Sequence, residues 1–283
     1  MTGTRILLTA RTPAALAGLT QAPREDVDLV MAATAAAPGS AFDSFTEAGF
    51  RTLLQALTRG GYRFARYGEA PTGRHVLWRH DVDFSMHRAA ALAEIEAQEG
   101  AQATYFVNPR SAFYNLFEPE IEGLLRALAA RGHAIGLHFD ASAYPVERWS
   151  AATLAPAIAR ERRLVEEALG APVSAMSWHN PDLSNLLEFA DEEVDGLVNA
   201  YAARMRNEYV YCSDSNGLWR FRTMGEVIAE GHERLHLLTH PEWWTPQPMA
   251  PSARVDRAIL GRAAAVRRDY DAVLARGGRP NLR

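Results

Sequence analysis

Cysteine is almost absent from this chain of 283 residues, in which Cys212 carries the one thiol. One cysteine excludes an intrachain disulfide and any metal site built from several thiolates. No apolar run approaches the roughly 20 residues of a membrane-spanning helix, and residues 1–19 lack the basic flank and apolar core of a signal peptide. We therefore expect a cytoplasmic protein without a membrane partner.

An excess of basic residues is also absent. The chain has 30 Lys and Arg residues against 34 Asp and Glu residues, which gives a formal net charge of -4. A nucleic-acid-binding domain typically carries a basic patch and a pI above about 9, so the charge favours no nucleic-acid partner. The 48% hydrophobic content is sufficient for one large domain or two small ones.

Apolar segments alternate with amphipathic segments along most of the chain. Strands are predicted at 62–67, 75–83, 103–107, 134–139, 173–178, 208–212 and 235–239, and helices at 45–62, 85–100, 119–132, 146–169 and 255–274. The stretch at 183–205 is predicted to be helical or irregular. This alternation favours a single α/β domain at 41–283. Residues 1–40 form a separate N-terminal segment that could add edge strands or stand as a small appendage.

Polar side chains follow five of the predicted strands at the point where each strand ends. They are Asp81 and Asp83, His138 and Asp140, His179, Asp214, and His240. Because the carboxyl ends of parallel strands meet at one edge of a sheet or barrel, these side chains are predicted to share a site.

The first pair of these residues has its own chemistry. Strand alternation places Asp81 and Asp83 on one face and His80 on the other. Two adjacent carboxylates repel each other, so the pair is suited to a cation or a shared proton. The structural alternative is a solvated turn in which Asp caps the following helix.

Aromatic residues crowd the same edge and suggest a carbohydrate-like substrate, because sugar rings stack on such side chains. The predicted substrate contacts are His80, Trp178, Asn180, Trp219, Trp243 and Trp244. The alternative for each tryptophan is core packing, since aromatic residues dominate buried surface in any fold.

Three motifs resemble the polysaccharide deacetylase superfamily, carbohydrate esterase family 4 with the NodB-homology fold. They are Arg79-His80-Asp81-Val82-Asp83, Ala103–Val107 and Gly132–His138, in the family's order, and the resemblance covers roughly 45–245. Within the family, the chain is similar to an uncharacterised branch marked by His-Asp-Val-Asp, Gly-Leu-His-Phe-Asp, Ser-Trp-His-Asn-Pro and Thr-His-Pro-Glu-Trp-Trp. The resemblance implies a distorted (β/α) barrel of about seven strands and hydrolysis of an acyl group assisted by a divalent metal ion, with zinc favoured.

The resemblance also implies roles for individual residues. Asp81 matches the general base, and Asp83 and His138 match metal ligands. His240 matches the histidine that protonates the leaving amine. Asp214 and Trp219 match the pair that orients that histidine and walls the pocket.

Two departures from the family pattern affect the metal site. Ser142 stands where a second metal-binding histidine is expected, and serine is a poor zinc ligand. The motif 178–181 lacks the family's arginine. His179 could supply the missing ligand from the next strand end, and Asp140 is the competing third ligand. Imidazole suits zinc well, which favours His179.

Three functions remain open on the sequence. The first is a metal-dependent deacetylase acting on an N-acylated amino sugar or related small glycoside. The second is a metal-independent hydrolase of another non-peptide C–N bond, which Ser142 supports. The third is a non-catalytic carbohydrate-binding barrel, against which the presence of both Asp81 and His240 argues.

Overall fold

The computed structural model describes Phe42 and residues 44–69, 71–219 and 221–282. The strands are β1 Arg63–Ala65, β2 His75–Val82, β3 Thr104–Val107, β4 Ala134–Asp140, β5 Ala175–His179, β6 Glu193–Val194, β7 Leu197–Asn199, β8 Val210–Ser213 and β9 Arg234–Thr239. The helices are α1 Glu47–Arg59, α2 Met86–Gln98, α3 Pro119–Ala130, α4 Ala151–Leu169, α5 Ala203–Glu208, α6 Met224–Ala229 and α7 Pro251–Arg276. The predicted N-terminal segment 1–40 lies outside the described residues. Within them, no helix is both long enough and apolar enough to cross a membrane.

The strands form one sheet in the order β6-β7-β5-β4-β3-β2-β9-β8, and β1 pairs with the start of β2. Every pairing is parallel except that of β6 with β7. In this arrangement β2, β4, β5 and β9 direct their carboxyl ends to the same edge. The predicted α/β class is therefore confirmed, and the strand-end residues do share one edge.

The sheet curls around its inner face. Tyr201 follows β7 near one end of the strand order, and Tyr211 belongs to β8 at the other end. Both tyrosines are close enough to Arg79 of the central strand β2 to interact with its charge, and the Arg79 Nη2 atom donates to the Tyr201 hydroxyl at 3.2 Å. The predicted distorted barrel is confirmed. The described residues form nine strands instead of about seven, because the short β6–β7 hairpin was not apparent in the sequence.

Alternation along β2 separates two environments. Trp78, His80 and Val82 point outward into the space between the sheet and the helices, where most of the apolar core lies. Arg79 and Asp81 point inward and pair with each other. A second, smaller apolar cluster that includes Leu77 and Phe106 fills the inside below them. Successive residues of one strand therefore serve the core and the site in turn.

One helix cap and two side-chain hydrogen bonds hold the link between β2 and α2. The Ser85 hydroxyl accepts a hydrogen bond from the Arg88 backbone N–H at 3.2 Å, as the sequence predicts for an N-cap. The Tyr114 hydroxyl donates to the Val82 carbonyl at 2.9 Å, and the Ser111 hydroxyl donates to the Asp83 carbonyl at 2.7 Å. The link from β2 to α2, which carries Asp83, is therefore tethered on both sides.

Candidate metal and catalytic site

Three ligand-type atoms from three chain segments converge at the carboxyl edge of the sheet. Asp83 follows β2, His138 lies in β4 and His179 ends β5. The Asp83 Oδ1 atom is 3.2 Å from His138 Nε2 and 3.2 Å from His179 Nδ1. The two imidazole nitrogens are 3.1 Å apart. These residues form the group that could hold a metal ion in the described part of the chain.

The triangle of ligand atoms has the size that a zinc ion requires. Zinc–ligand distances of about 2.0–2.1 Å in a tetrahedral site place neighbouring ligand atoms about 3.3 Å apart. The Asp83 Oδ1 atom is buried and has no hydrogen-bond partner among the described residues. A buried acceptor without a donor is costly, and a cation would satisfy it. Two imidazoles and one carboxylate therefore fit a divalent ion with a position open for water.

The His138 ring is oriented by Ser177, its register partner on β5. The Ser177 hydroxyl lies 2.7 Å from His138 Nδ1 and donates to Asp81 Oδ1 at 3.4 Å. Because the hydroxyl has one proton and gives it to Asp81, it accepts from the His138 Nδ1–H group. The Nε2 lone pair of His138 then faces Asp83 and His179, which is the tautomer that a metal ligand needs.

Electrostatic interactions within the ligand triangle favour the ionised forms of Asp83 and His179. Burial raises the pKa of Asp83, but the adjoining imidazoles of His138 and His179 outweigh this and hold the pKa well below its usual range. Burial lowers the pKa of His179, but the neighbouring Asp83 carboxylate together with two further aspartates outweighs that effect and raises the pKa. The site thus contains a carboxylate that is anionic at neutral pH.

The competing ligand Asp140 has a different task in the structure. It precedes the short turn Ala141–Ala143, and its Oδ1 atom accepts a hydrogen bond from the Ser142 N–H at 2.9 Å. Asp140 is not part of the ligand triangle, whereas His179 is. The geometry therefore groups His179, and not Asp140, with Asp83 and His138.

Asp81 is held by an arginine that the sequence reasoning did not assign. The Arg79 Nη2 atom is 2.7 Å from Asp81 Oδ2, and the Nε atom is 3.2 Å from Oδ1. Both side chains are buried, and the guanidinium also lies over the rings of Phe106 and Tyr201. Burial raises the pKa of Asp81, but Arg79 together with the charges of His138 and His240 outweighs it and lowers the pKa. Arg79 thus positions the Asp81 carboxylate from β2 itself.

His240 and Asp214 form a pair on the other side of the triad. The His240 Nδ1–H group hydrogen-bonds to Asp214 Oδ1, and the Nε2 atom is 3.8 Å from Asp83 Oδ2. Asp214 is fixed by donors from the Thr239 hydroxyl at 2.5 Å and the His240 N–H at 3.1 Å. Burial lowers the pKa of His240, but the charge and hydrogen bond of Asp214, together with the charges of Asp83 and Asp81, outweigh it and raise the pKa to about 10. At neutral pH His240 is a cation directed at the site.

Four of the predicted substrate contacts lie in the core. His80 is fully buried on the outer face of β2, where its Nε2 atom is 2.6 Å from Glu96 Oε1. Trp178 and Trp244 are each 1% exposed and pack among other core aromatics, and Trp243 is also buried. Alternation along β2 and β5 directs His80 and Trp178 away from the opening, and Trp243 and Trp244 pack into the core from the turn after β9. All four are buried, and their contact with substrate stays a prediction.

Two members of the predicted set keep accessible surface. Trp219 is partly buried and stacks on Phe45 with ring centroids 4.7 Å apart. Asn180 is exposed in the left-handed conformation at φ 44°, and its carboxamide is 2.9 Å from His179 Nε2. Asn180 thus contacts the site from outside and Trp219 borders the turn that follows β8.

Sequence reasoning missed three residues that the structure places at or beside the site. Arg79 and Ser177 contact Asp81 directly. Glu242 is buried next to the site with no partner for its carboxylate among the described residues. Arg79 could have been found from period-two alternation, since it faces the same way as Asp81. Ser177 and Glu242 carry no comparable signal, because their roles depend on contacts between distant segments.

Neither a family model nor a curated protein sequence matches this chain. Solved structures do match. One is a family 4 acetyl xylan esterase from Clostridium thermocellum in complex with a cobalt ion, with 16% identity over 72% of this chain and 92% of that chain at a TM-score of 0.40. A second is the catalytic domain of a peptidoglycan N-acetylglucosamine deacetylase from Eubacterium rectale, with 14% identity over 71% and 89% at 0.40.

A third match is a CE4 family pseudoenzyme from Bacillus anthracis, with 13% identity over 69% of this chain and a TM-score of 0.39. The matched region spans 63% of the pseudoenzyme's own length. The matched structures come from the family that the sequence motifs resemble.

Proposed function

We propose that this chain is a metal-dependent hydrolase that removes an acetyl or other acyl group from an N-acylated amino sugar or a related small glycoside. The observation that carries the proposal is the convergence of Asp83, His138 and His179, with Asp81 on one side and the His240 cation on the other. A base, an acid and a ligand triangle are the three parts that metal-assisted amide hydrolysis needs.

The ligand triangle would hold a divalent ion, with zinc favoured by its two imidazoles. When bound, such an ion lowers the pKa of a coordinated water to about 7 and polarises the substrate carbonyl.

Asp81 is the proposed general base. The Arg79 ion pair keeps its carboxylate ionised at neutral pH and fixes its orientation. The Ser177 hydroxyl joins it to the ring of His138. Asp81 therefore lies one side chain from the ligand triangle and can take the proton of the attacking water. Positioned acid–base catalysis of this kind typically contributes about 10²–10⁴-fold in rate.

His240 is the proposed general acid. Its Nδ1–H group is held by Asp214, so the Nε2–H group faces Asp83 and the open side of the triad. The raised pKa keeps Nε2 protonated at neutral pH. The proton on Nε2 can pass to the departing amine nitrogen, which is a poor leaving group without it. Asp81 thus assists attack on the carbonyl carbon of the C–N bond, and His240 assists departure of its nitrogen.

The saccharide nature of the substrate is supported by Trp219 and Asn180, which keep accessible surface at this edge. An aromatic ring offers a face for a sugar, and a carboxamide offers both a donor and an acceptor for its hydroxyl groups.

The test is release of acetate from N-acetylglucosamine and its short oligomers by protein loaded with zinc, compared with the Asp81→Asn and His240→Gln variants. We expect turnover by the wild type and a loss of at least about 100-fold in each variant. Asp182→Asn is the matched control, because Asp182 is an exposed aspartate that follows β5, and it should keep full activity.

Two other outcomes would replace the proposal. Turnover that persists after chelation and in the Asp83→Ala variant would favour a metal-independent C–N hydrolase. Sugar binding without acetate release from any of these substrates would favour a carbohydrate-binding barrel.

A further inference from the structure

Glu242 is the one buried carboxylate of the described residues that receives no hydrogen bond. It is 2% exposed, and neither of its oxygens has a partner. The other buried carboxylates all accept from neighbouring donors: Asp81 from Arg79, Glu96 from Trp78, His80 and Tyr105, Glu161 from Arg110 and Tyr144, and Asp214 from Thr239 and His240. An unpaired buried carboxylate is strongly unfavourable, so this contrast calls for a partner that the chain itself does not provide.

The position of Glu242 points to the metal site as the source of that partner. The residue lies in the turn Pro241–Trp243, which follows β9 and begins one residue after His240. The Nε2 atom of His240, two residues before it, is 3.8 Å from Asp83 Oδ2, and the Glu242 carboxyl group is close enough to interact with the charge of Asp83. Glu242 thus lies on the Asp83 side of the site, outside the ligand triangle itself.

The electrostatics in this corner are unfavourable without a cation. Burial raises the pKa of Glu242, and the negative charge of Asp83 raises it further. Two carboxyl groups, Asp83 and Glu242, share a corner in which the nearest cationic group, His240, is already paired with Asp214. A divalent ion beside Asp83 would change the electrostatic potential at Glu242 from one that disfavours a negative charge to one that favours it.

We propose that Glu242 is a further carboxylate of the metal centre, whose negative charge strengthens binding of a divalent cation at Asp83, His138 and His179 without entering the ligand triangle. The inference rests on the proposed metal dependence of the site. The free energy of coupling between two binding events is reciprocal. A cation that stabilises the negative charge of Glu242 is therefore itself bound more tightly because of that charge. Groups outside the ligand set commonly change metal affinity by about 10–100-fold.

The experiment is calorimetric titration of Zn²⁺ into metal-free wild type, Glu242→Gln and Glu167→Gln. Gln keeps the shape of the side chain and removes its charge. Glu167→Gln is the matched control, since Glu167 is exposed on α4 and its replacement removes the same charge from the chain. We expect the Zn²⁺ dissociation constant to rise about 10-fold or more in Glu242→Gln and to be unchanged in Glu167→Gln.

Thermal melting of the metal-free proteins separates this role from a structural one. Because Glu242 has no partner in the chain, its replacement by Gln should leave the melting temperature unchanged or raise it. Equal Zn²⁺ affinity in wild type and Glu242→Gln would overturn the inference. A lower melting temperature with unchanged affinity would overturn it too and assign Glu242 to packing.

The failures of the two proposals are distinguishable. Absence of Zn²⁺ binding in the wild type would overturn the metal centre itself. If Glu242→Gln does not fold, Glu242→Met gives the same test with an apolar side chain of similar length, and an affinity equal to that of the wild type would again contradict the inference.

Discussion

The two faces of β2 carry two buried polar clusters with opposite properties. On the outer face, Glu96 accepts from Trp78 Nε1 at 2.5 Å, His80 Nε2 at 2.6 Å and the Tyr105 hydroxyl at 2.6 Å, and all four side chains are fully buried. On the inner face, the Asp83 side chain is 24% exposed and its Oδ1 atom lacks a hydrogen-bond partner although two imidazoles are 3.2 Å away.

The difference shows how a structural cluster can be told from a functional one. The carboxylate of the outer cluster accepts three hydrogen bonds from the chain, so it offers no free acceptor to a ligand. The inner cluster leaves acceptors and lone pairs facing one another and opens to solvent. Both clusters combine a carboxylate with histidine, and the hydrogen bonding of that carboxylate separates them.

The largest expected effect is on the outer cluster. Glu96→Ala leaves His80, Trp78 and Tyr105 as donors without an acceptor in the core, and breaking a buried pair by removing one partner costs about 3–5 kcal/mol. Urea denaturation of the metal-free protein should show a loss of this size. The control Glu94→Ala, an exposed change on the same helix, should cost less than about 1 kcal/mol. Equal losses in both variants would remove the distinction between the clusters.

The inner cluster should respond in the opposite way. Asp83→Ala removes one of three ligands. Total binding energies of about 10–16 kcal/mol for structural zinc sites imply roughly 3 kcal/mol per ligand. We therefore expect Zn²⁺ affinity to fall about 100-fold or more. Its metal-free stability should change by about 1 kcal/mol or less. Calorimetric titration and urea denaturation measure the two quantities, and Asp182→Ala is the control for both. A large loss of stability with retained affinity would reverse the comparison.

A smaller effect is expected where Ser177 joins Asp81 to the ring of His138. Ser177→Ala removes the hydroxyl that sets the His138 tautomer, so Zn²⁺ affinity should fall about 10-fold. The control Ser174→Ala changes an exposed serine just before the same strand and should leave affinity unchanged. Unchanged affinity in Ser177→Ala would show that His138 keeps its orientation without Ser177.

The smallest expected effect concerns the pH dependence of His240. Its pKa of about 10 is raised above the ordinary imidazole value near 6.5, so its contribution to stability is complete below about pH 6.5 and is lost as the pH rises through about 10. Asp214→Asn removes the charge responsible and should move the pKa of His240 down. NMR titration of the His240 ring checks the pKa, and a curve identical to that of the wild type would contradict the assigned cause.

The sequence predicted much of the fold and part of the site. The apolar periodicity of β2, β4, β5 and β9 and the cap at Ser85 were sufficient for the α/β class, and the barrel came from the motif resemblance. The sequence did not predict the short strands β6 and β7, because strands of two and three residues have too few positions to show alternation.

The side chains that complete the site were less accessible to sequence reasoning. Strand ends identified Asp83, His138 and His179 because a parallel sheet brings its carboxyl ends together. Trp178, Trp243 and Trp244 are buried, whereas the sequence suggested that they face the opening. An aromatic residue at a strand end can face either side, and Trp178 faces the core. The pairings of Arg79, Ser177 and Glu242 depend on register and curl, which a single sequence does not encode locally. The cytoplasmic location remains a prediction.

The central claim is that Asp83, His138 and His179 bind one divalent ion. Its most direct test is metal analysis by mass spectrometry of wild type, His179→Ala and Asp140→Ala purified without chelators. The claim predicts close to one equivalent of zinc in the wild type and in Asp140→Ala, and its loss in His179→Ala. Retention of metal in His179→Ala with loss in Asp140→Ala, or absence of metal from the wild type, would contradict it.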